Sequence, residues 1–354
     1  MGRVMSNVKN SLETPKQAVI NGELNTAEAW GSGKLILFGE HAVVYGRPAV
    51  AVALSRGLKV TVSSTRDLSS SLEDQNPRPI SAVLCSQGRL NSLQHTESRA
   101  LLTALTQGLE WSQAQGLPLL GEYQFKVEGE LPFKVGLGSS AALSVASLRA
   151  IAKLSYHHHS NQAIFEGAMC MERVFHQNPS GLDHQVSILG GALRFRRDGV
   201  RFDHRSITLG VPLYLALTWT PRVGSTADAV RGVAQAYAYD HERYEELFSQ
   251  IESISEEGVN ALEKGDLLSL GRLLNENHQL LKEIGVSTPT LDAHCTELIN
   301  LGAIGAKMSG AGHGGACFGL FLSKFEAENA ALSLKRRGVE ALAISLGELI
   351  KAVL

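Results

Sequence analysis

Between Tyr123 and Glu128 apolar and polar residues alternate as in a half-buried strand, and from Ser139 to Leu154 a Ser/Ala/Leu-rich run without a breaker reads as a helix. The link between them carries Gly136-Leu137-Gly138-Ser139-Ser140. A strand, a glycine loop and a helix in that order constrain the fold strongly. The backbone turns at a sheet end and presents N–H groups at a helix N-terminus, where the helix dipole favours an anion. Such a loop suits phosphate. It is not a Walker A loop, since no Gly-Lys-Ser or Gly-Lys-Thr follows, and Ser139-Ser140-Ala141 does not complete GxGxxG. A glycine loop can serve turn geometry alone. The double serine shifts the balance, because hydroxyls contact phosphate oxygens or a Mg²⁺ ion.

The remaining pattern mixes strands and helices. Residues 34–38 and 48–54 read as strands joined by a charged, irregular loop, 58–64 as a further strand, and 69–91, rich in Ser, Pro, Asn and Asp, as a long loop. Helices are expected over 96–115 and 163–175, with a short one after the Pro-Ser-Gly break at 179–181 and a strand over 192–197. Beyond these come a buried strand at 211–219 and amphipathic helices at 226–237, 242–262, 267–284 and 291–301. The strand 316–322, a helix to about 337 and the strand 341–344 follow a glycine-rich stretch, Gly310 to Gly315. At about 150 residues per domain, 354 residues suggest two domains of α+β type.

Charge excludes some functions. Lys and Arg number 33 against 35 Asp and Glu, so the net charge of -2 draws the chain neither to nucleic acid nor to anionic lipid, and an anionic ligand needs a local basic site. No apolar run reaches the ~18 residues of a membrane span, and the polar stretch 1–28 lacks the apolar segment of a secretory signal. That stretch reads as a flexible leader. Met1 to Ser6 fits the permissive MGxxxS acylation pattern at Gly2, although one acyl chain anchors only marginally. Cys85, Cys170, Cys295 and Cys317 are far apart without zinc-like spacing, which indicates reduced thiols and a cytoplasmic setting. His157-His158-His159 reads as solvated surface, because neighbouring residues of a helix point in different directions.

Two further segments carry chemistry. Glu172 precedes His176-Gln177-Asn178-Pro179-Ser180-Gly181-Leu182-Asp183, where the break can set Asp183 at a helix start, either as a base for a hydroxyl proton or as a helix cap. Glu172 is either a solvated or ion-paired helix residue or a carboxylate for phosphate-bound Mg²⁺. Lys307-Met308-Ser309-Gly310-Ala311-Gly312-His313-Gly314-Gly315 signals close backbone approach, to another chain segment or to a ligand.

Taken in order, Gly33-Lys34-Leu35-Ile36-Leu37-Phe38-Gly39-Glu40-His41-Ala42-Val43-Val44-Tyr45-Gly46, Gly136-Leu137-Gly138-Ser139-Ser140-Ala141-Ala142, Asn178 to Asp183 and Lys307 to Gly312 resemble the GHMP kinases, from about residue 31 to the C-terminus. The resemblance implies the two-domain GHMP kinase fold: an N-terminal ribosomal-protein-S5-like α/β domain over 29–205 for ATP and substrate, and a ferredoxin-like α+β domain over 206–354. The sequence from Gly39 to Gly46 resembles the branch acting on mevalonate in the route to isoprenoids. Galactokinases usually carry Asp-Tyr after Gly-Glu-His, and homoserine kinases lack the segment. Alternatives are a family member acting on phosphomevalonate or a sugar, and an ATP-binding regulator without catalysis. Lys34, Glu172 and Asp183 together argue against the regulator.

Carried over by position, the resemblance implies Asp183 as base, with Lys34 stabilising the alkoxide. Glu40, His41 and Thr226 belong to substrate binding, with Thr226 near the γ-phosphate. Lys134, Gly136, Leu137, Gly138, Ser139, Ser140, Gly310 and Gly312 belong to ATP binding, and Ser140 and Glu172 ligate Mg²⁺. It also implies a homodimer and feedback inhibition by prenyl diphosphates. Phe133-Lys134-Val135, His184 and His313 depart from the family pattern.

Overall fold

The computed structural model describes residues 25–65, 80–86, 89–90, 95–117, 122–129, 131–132, 135–175, 180–199, 201–221 and 225–347. Gly2 and the leader as far as residue 24 lie outside these residues, as do Phe133 and Lys134. In chain order the first part holds β1 (Asn25–Phe38), β2 (Ala49–Thr65), β3 (Ile80–Ser86), β4 (Arg89–Leu90), α1 (His95–Ala114), β5 (Glu122–Gly129), α2 (Ser139–Leu154), α3 (Asn161–Glu172), α4 (Leu182–Leu189), β6 (Ala192–Asp198) and β7 (Arg201–Ile207). The second part holds β8 (Leu213–Thr220), α5 (Thr226–Tyr239), α6 (His241–Lys264), α7 (Leu267–Ile284), α8 (Pro289–Asn300), β9 (Gly305–Met308), β10 (Gly315–Phe321), α9 (Lys324–Arg336) and β11 (Ala341–Leu346). Its helices start on side-chain caps such as Ser225, Asp266, Thr288 and Ser323, each accepting a bond from a first-turn N–H.

The first part forms a sheet in the order β4-β3-β5-β2-β6-β7, with β1 also pairing β2. β1 and β2 run antiparallel from Asn25↔Ser64 to Phe38↔Val50, and among the described residues only β3 with β5 is parallel. The second part is an antiparallel sheet in the order β11-β8-β10-β9. Leu35-Ile36-Leu37-Phe38 is apolar without alternation because both faces of β1 are covered. Leu35, Leu37 and Phe38 belong to a core with Leu215, Phe248 and Phe318 of the second part, whereas Ile36 belongs to one with Leu182, Val186 and Phe195. A third core joins Val60, Val62 and Phe125 of the sheet to Leu105, Leu148 and Phe165 of α1, α2 and α3. β1 is thus packed by both halves, so a side chain at its end can take part in a site built from each.

The structure departs from the sequence reading in four places. β1 begins at Asn25, inside the segment read as leader, because that end of the strand is largely exposed and carries no apolar signal. The expected strands 48–54 and 58–64 are one strand, since β1 keeps pace through a bulge between Ser32 and Lys34. Within the expected loop 69–91, Ile80–Ser86 pairs with β5 and Arg89–Leu90 with β3; the flanking Pro, Asn and Ser hid seven strand residues. β7 carries no apolar alternation in the sequence, because its Arg, Asp and His residues suit an edge strand that must resist further pairing. No helix among the described residues is long and apolar enough to cross a membrane.

Candidate active site

The backbone N–H of Lys34 donates to the Leu137 carbonyl at 2.9 Å, which ties β1 to the glycine loop. Gly138 then caps α2 at φ 73°, and a Cβ there would lie 2.7 Å from Lys34 Cγ. Only glycine allows both that backbone conformation and that approach. The loop is tied to the second part as well, because the Ala316 N–H donates to the Val135 carbonyl at 2.9 Å. Gly136, Leu137, Ser139 and Ser140 therefore stand where the free N–H groups of the α2 N-terminus begin.

Lys34 Nζ lies 3.3 Å from Asp183 Oδ1. The lysine side chain is 5% exposed and the carboxylate 31%, so the pair is covered on one side and open on the other. Asp183 is the second residue of α4, whose cap is Gly181 in the left-handed conformation. The cap therefore belongs to Gly181, and Asp183 is a first-turn acid favoured by the helix dipole and available to a ligand.

Ser140 Oγ donates to Glu172 Oε1 at 2.9 Å, and Glu172 Oε2 lies 3.3 Å from His184 Nε2. A hydroxyl and a buried carboxylate in contact at a helix N-terminus fit Mg²⁺, which takes one or two protein oxygens and fills its other positions from phosphate and water. Among the described residues no group of three or more His, Cys, Asp or Glu could hold a metal.

Glu40 and His41 follow β1 and face the second part. Lys307 Nζ donates to Glu40 Oε1, both side chains being sealed from solvent. His41 holds φ 61°, unusual without glycine, and its Nε2 is 3.0 Å from the Ala311 carbonyl oxygen. Burial is the largest influence on His41 and lowers its pKa from 6.5 to about 4, so the ring is neutral. Burial also lowers the pKa of Lys307, against the pull of Glu40. Ser309 Oγ accepts from the Ile36 N–H and donates to the Ile36 carbonyl, both at 3.0 Å. Gly310 and Gly312 have φ 91° and 83°, and a Cβ on Gly312 would lie 2.1 Å from the Val286 carbonyl oxygen. The close approach seen at Gly312 is thus to the chain itself.

Thr226 opens α5, next to the Ser225 cap. Lys134, proposed from the sequence for ATP, lies outside the described residues. His157 and His158 are exposed, and the half-buried His159 meets the Trp111 ring at 5.2 Å between centroids with the planes tilted by 59°. Cys170, Cys295 and Cys317 carry free thiols. The sequence reading passed over Lys307 and Ser309 as individual residues. Their signal was position, since two polar side chains flank Met308 in a segment otherwise bound for the core.

The family described as GHMP kinases N terminal domain matches residues 101–191, and the family described as GHMP kinases C terminal matches 259–340. The mevalonate kinase of Aeropyrum pernix is 32% identical over 325 residues, covering 91% of this chain and 96% of its own. That of Methanothermobacter thermautotrophicus is 32% identical over 295 residues, 82% and 88% of the two chains. Among solved structures, L. major mevalonate kinase in complex with R-mevalonate superposes with a TM-score of 0.78 at 26% identity, covering 92% of this chain and 97% of that one.

Proposed function

The chain belongs to the GHMP kinases, and from that premise we propose that it phosphorylates mevalonate with ATP, in one in-line transfer to a substrate hydroxyl. The observation that carries the proposal is the Lys34–Asp183 pair beside the α2 N-terminus, in a chain whose relatives over most of its length are mevalonate kinases. Phosphoryl transfer asks little covalent chemistry of a protein; positioning and neutralised charge supply the rate. Asp183 takes the hydroxyl proton through its partly open carboxylate, and Lys34, 3.3 Å away, stabilises the oxygen as charge develops on it. The N–H groups at the start of α2, with Gly136 to Ser140, hold the phosphates. Ser140 and Glu172 would hold Mg²⁺, which when bound neutralises charge on the phosphate oxygens. Glu40, His41 and Thr226 hold the acceptor substrate.

In this reading 29–205 is the unit for ATP and substrate and 206–354 the C-terminal unit; the boundary falls within β7, two residues before that strand ends at Ile207. Cytoplasmic location, a homodimer and inhibition by prenyl diphosphates follow as family expectations. A substrate panel with ATP and Mg²⁺ tests the function. Mevalonate should exceed phosphomevalonate, galactose and homoserine in kcat/KM by about 10⁴, the discrimination of a site that pairs each polar group. Phosphomevalonate as the best substrate would move the chain to another branch, and ATP binding without turnover of any of them would return the regulator.

A further inference from the structure

The segment Lys307 to Ala311 grips the end of β1 at three successive points. Ser309 bonds both backbone groups of Ile36, Lys307 binds the Glu40 carboxylate, and the Ala311 carbonyl meets the His41 ring. The middle contact does not explain itself as packing. Lys307 is 0% exposed and Glu40 1%, and two charges so deeply buried recover their lost hydration only when the remaining polar atoms are also bonded. Here they are not. Glu40 Oε2 is buried with no hydrogen-bond partner among the described residues, and Lys307 Nζ has on another side the ring of Phe318, 5.7 Å to its centroid. A buried carboxylate oxygen left without a donor is costly in a resting core and useful where a ligand supplies the donor. Glu40 follows directly on β1, the strand that carries Lys34 of the Lys34–Asp183 pair.

We propose that Lys307 is a positioning residue for phosphoryl transfer: its bond to Glu40 Oε1 fixes the carboxylate so that Oε2 accepts a hydrogen bond from a hydroxyl of the acceptor substrate. The inference rests on the kinase reading above. Lys307 acts through Glu40 and touches neither the nucleotide nor the transferred phosphoryl group, so its effect falls on acceptor KM.

Steady-state kinetics of Glu40→Gln, Lys307→Met and the double variant test this, with KM for mevalonate and for ATP measured separately. Glu40→Gln should raise the mevalonate KM about tenfold or more, the loss of a hydrogen bond to a charged group, with the ATP KM within about twofold. Lys307→Met should raise the same KM to a similar extent. In the Glu40→Gln background it should add less than about twofold, because the two residues serve one contact. The single lysine variant leaves a buried charge unpaired and can fail to fold; the neutral double variant then carries the test against Glu40→Gln. An unchanged mevalonate KM in folded Glu40→Gln, or a further tenfold rise when Lys307→Met is added to it, would overturn the inference while leaving the kinase reading intact. A wild-type chain inactive on mevalonate would instead overturn the reading on which it rests.

Discussion

Two lysine–carboxylate pairs stand near the end of β1, and they are built differently. Lys34–Asp183 is 3.3 Å long, covered at the lysine and about one-third open at the carboxylate; Lys307–Glu40 is sealed at both ends. The first joins a strand to the opening turn of α4 inside one half of the molecule, whereas the second links the two halves. An open carboxylate can exchange a proton with a substrate. A sealed one, fixed by its lysine, is suited to accepting a hydrogen bond rather than to passing a proton. In the proposed mechanism the contrast goes with chemistry at Asp183 and geometry at Glu40, although both are acids facing lysines.

The comparison breaks most directly at the lysines. Lys34→Met should lower kcat by about 10²–10³ with little change in the ATP KM, since the charge acts on an oxygen that becomes anionic only in the transition state. Its cost in stability should be small beside that of Lys307→Met, which strands a buried carboxylate and should cost about 3–5 kcal/mol in urea unfolding. Equal losses of stability would erase the distinction between the pairs.

A pH series sharpens the sealed side. The folded-state pKa of His41 lies below its unfolded value, so the unfolded chain takes up the proton first as pH falls. Stability associated with His41 is complete above about 6.5 and is lost as pH falls through about 4, amounting to about 3 kcal/mol. His41→Gln should flatten that part of the stability–pH curve. A curve of unchanged slope would show that the ring is not held neutral in the core.

The smallest effect is expected at the open side. Ser140→Ala removes a hydroxyl ligand and leaves the backbone cradle, so turnover should fall modestly while the Mg²⁺ concentration for half-maximal rate rises. A Mg²⁺ titration matching wild type would remove Ser140 from the metal site.

Much of this was legible in the sequence because it is local. The glycine loop, the Ser139-Ser140 pair at a helix start and the break before Asp183 each follow from backbone preferences over a few residues, and the structure has a helix where each implied one. The partners were not legible. Glu40 and Lys307 are 267 positions apart, and nothing local to either announces the other. The glycines at 310 and 312 were read for ATP, yet the contact that demands a glycine at 312 is with the Val286 carbonyl. A composition of small residues reports close approach without saying to what. Asp183 shows the same limit, since its local sequence favours a helix cap over a base, whereas the cap position belongs to Gly181.

The most direct measurement is the mevalonate-dependent rate of ADP formation by Asp183→Asn beside wild type at saturating ATP and Mg²⁺. The Asn side chain keeps the size and the hydrogen-bonding capacity but cannot take the proton. If Asp183 is the base, kcat should fall by about 10²–10⁴ with the ATP KM nearly unchanged. If Asp183 serves only the α4 dipole, the variant should lose about 0.3–1 kcal/mol of stability and keep its kcat within a few-fold of wild type, which would contradict the mechanism.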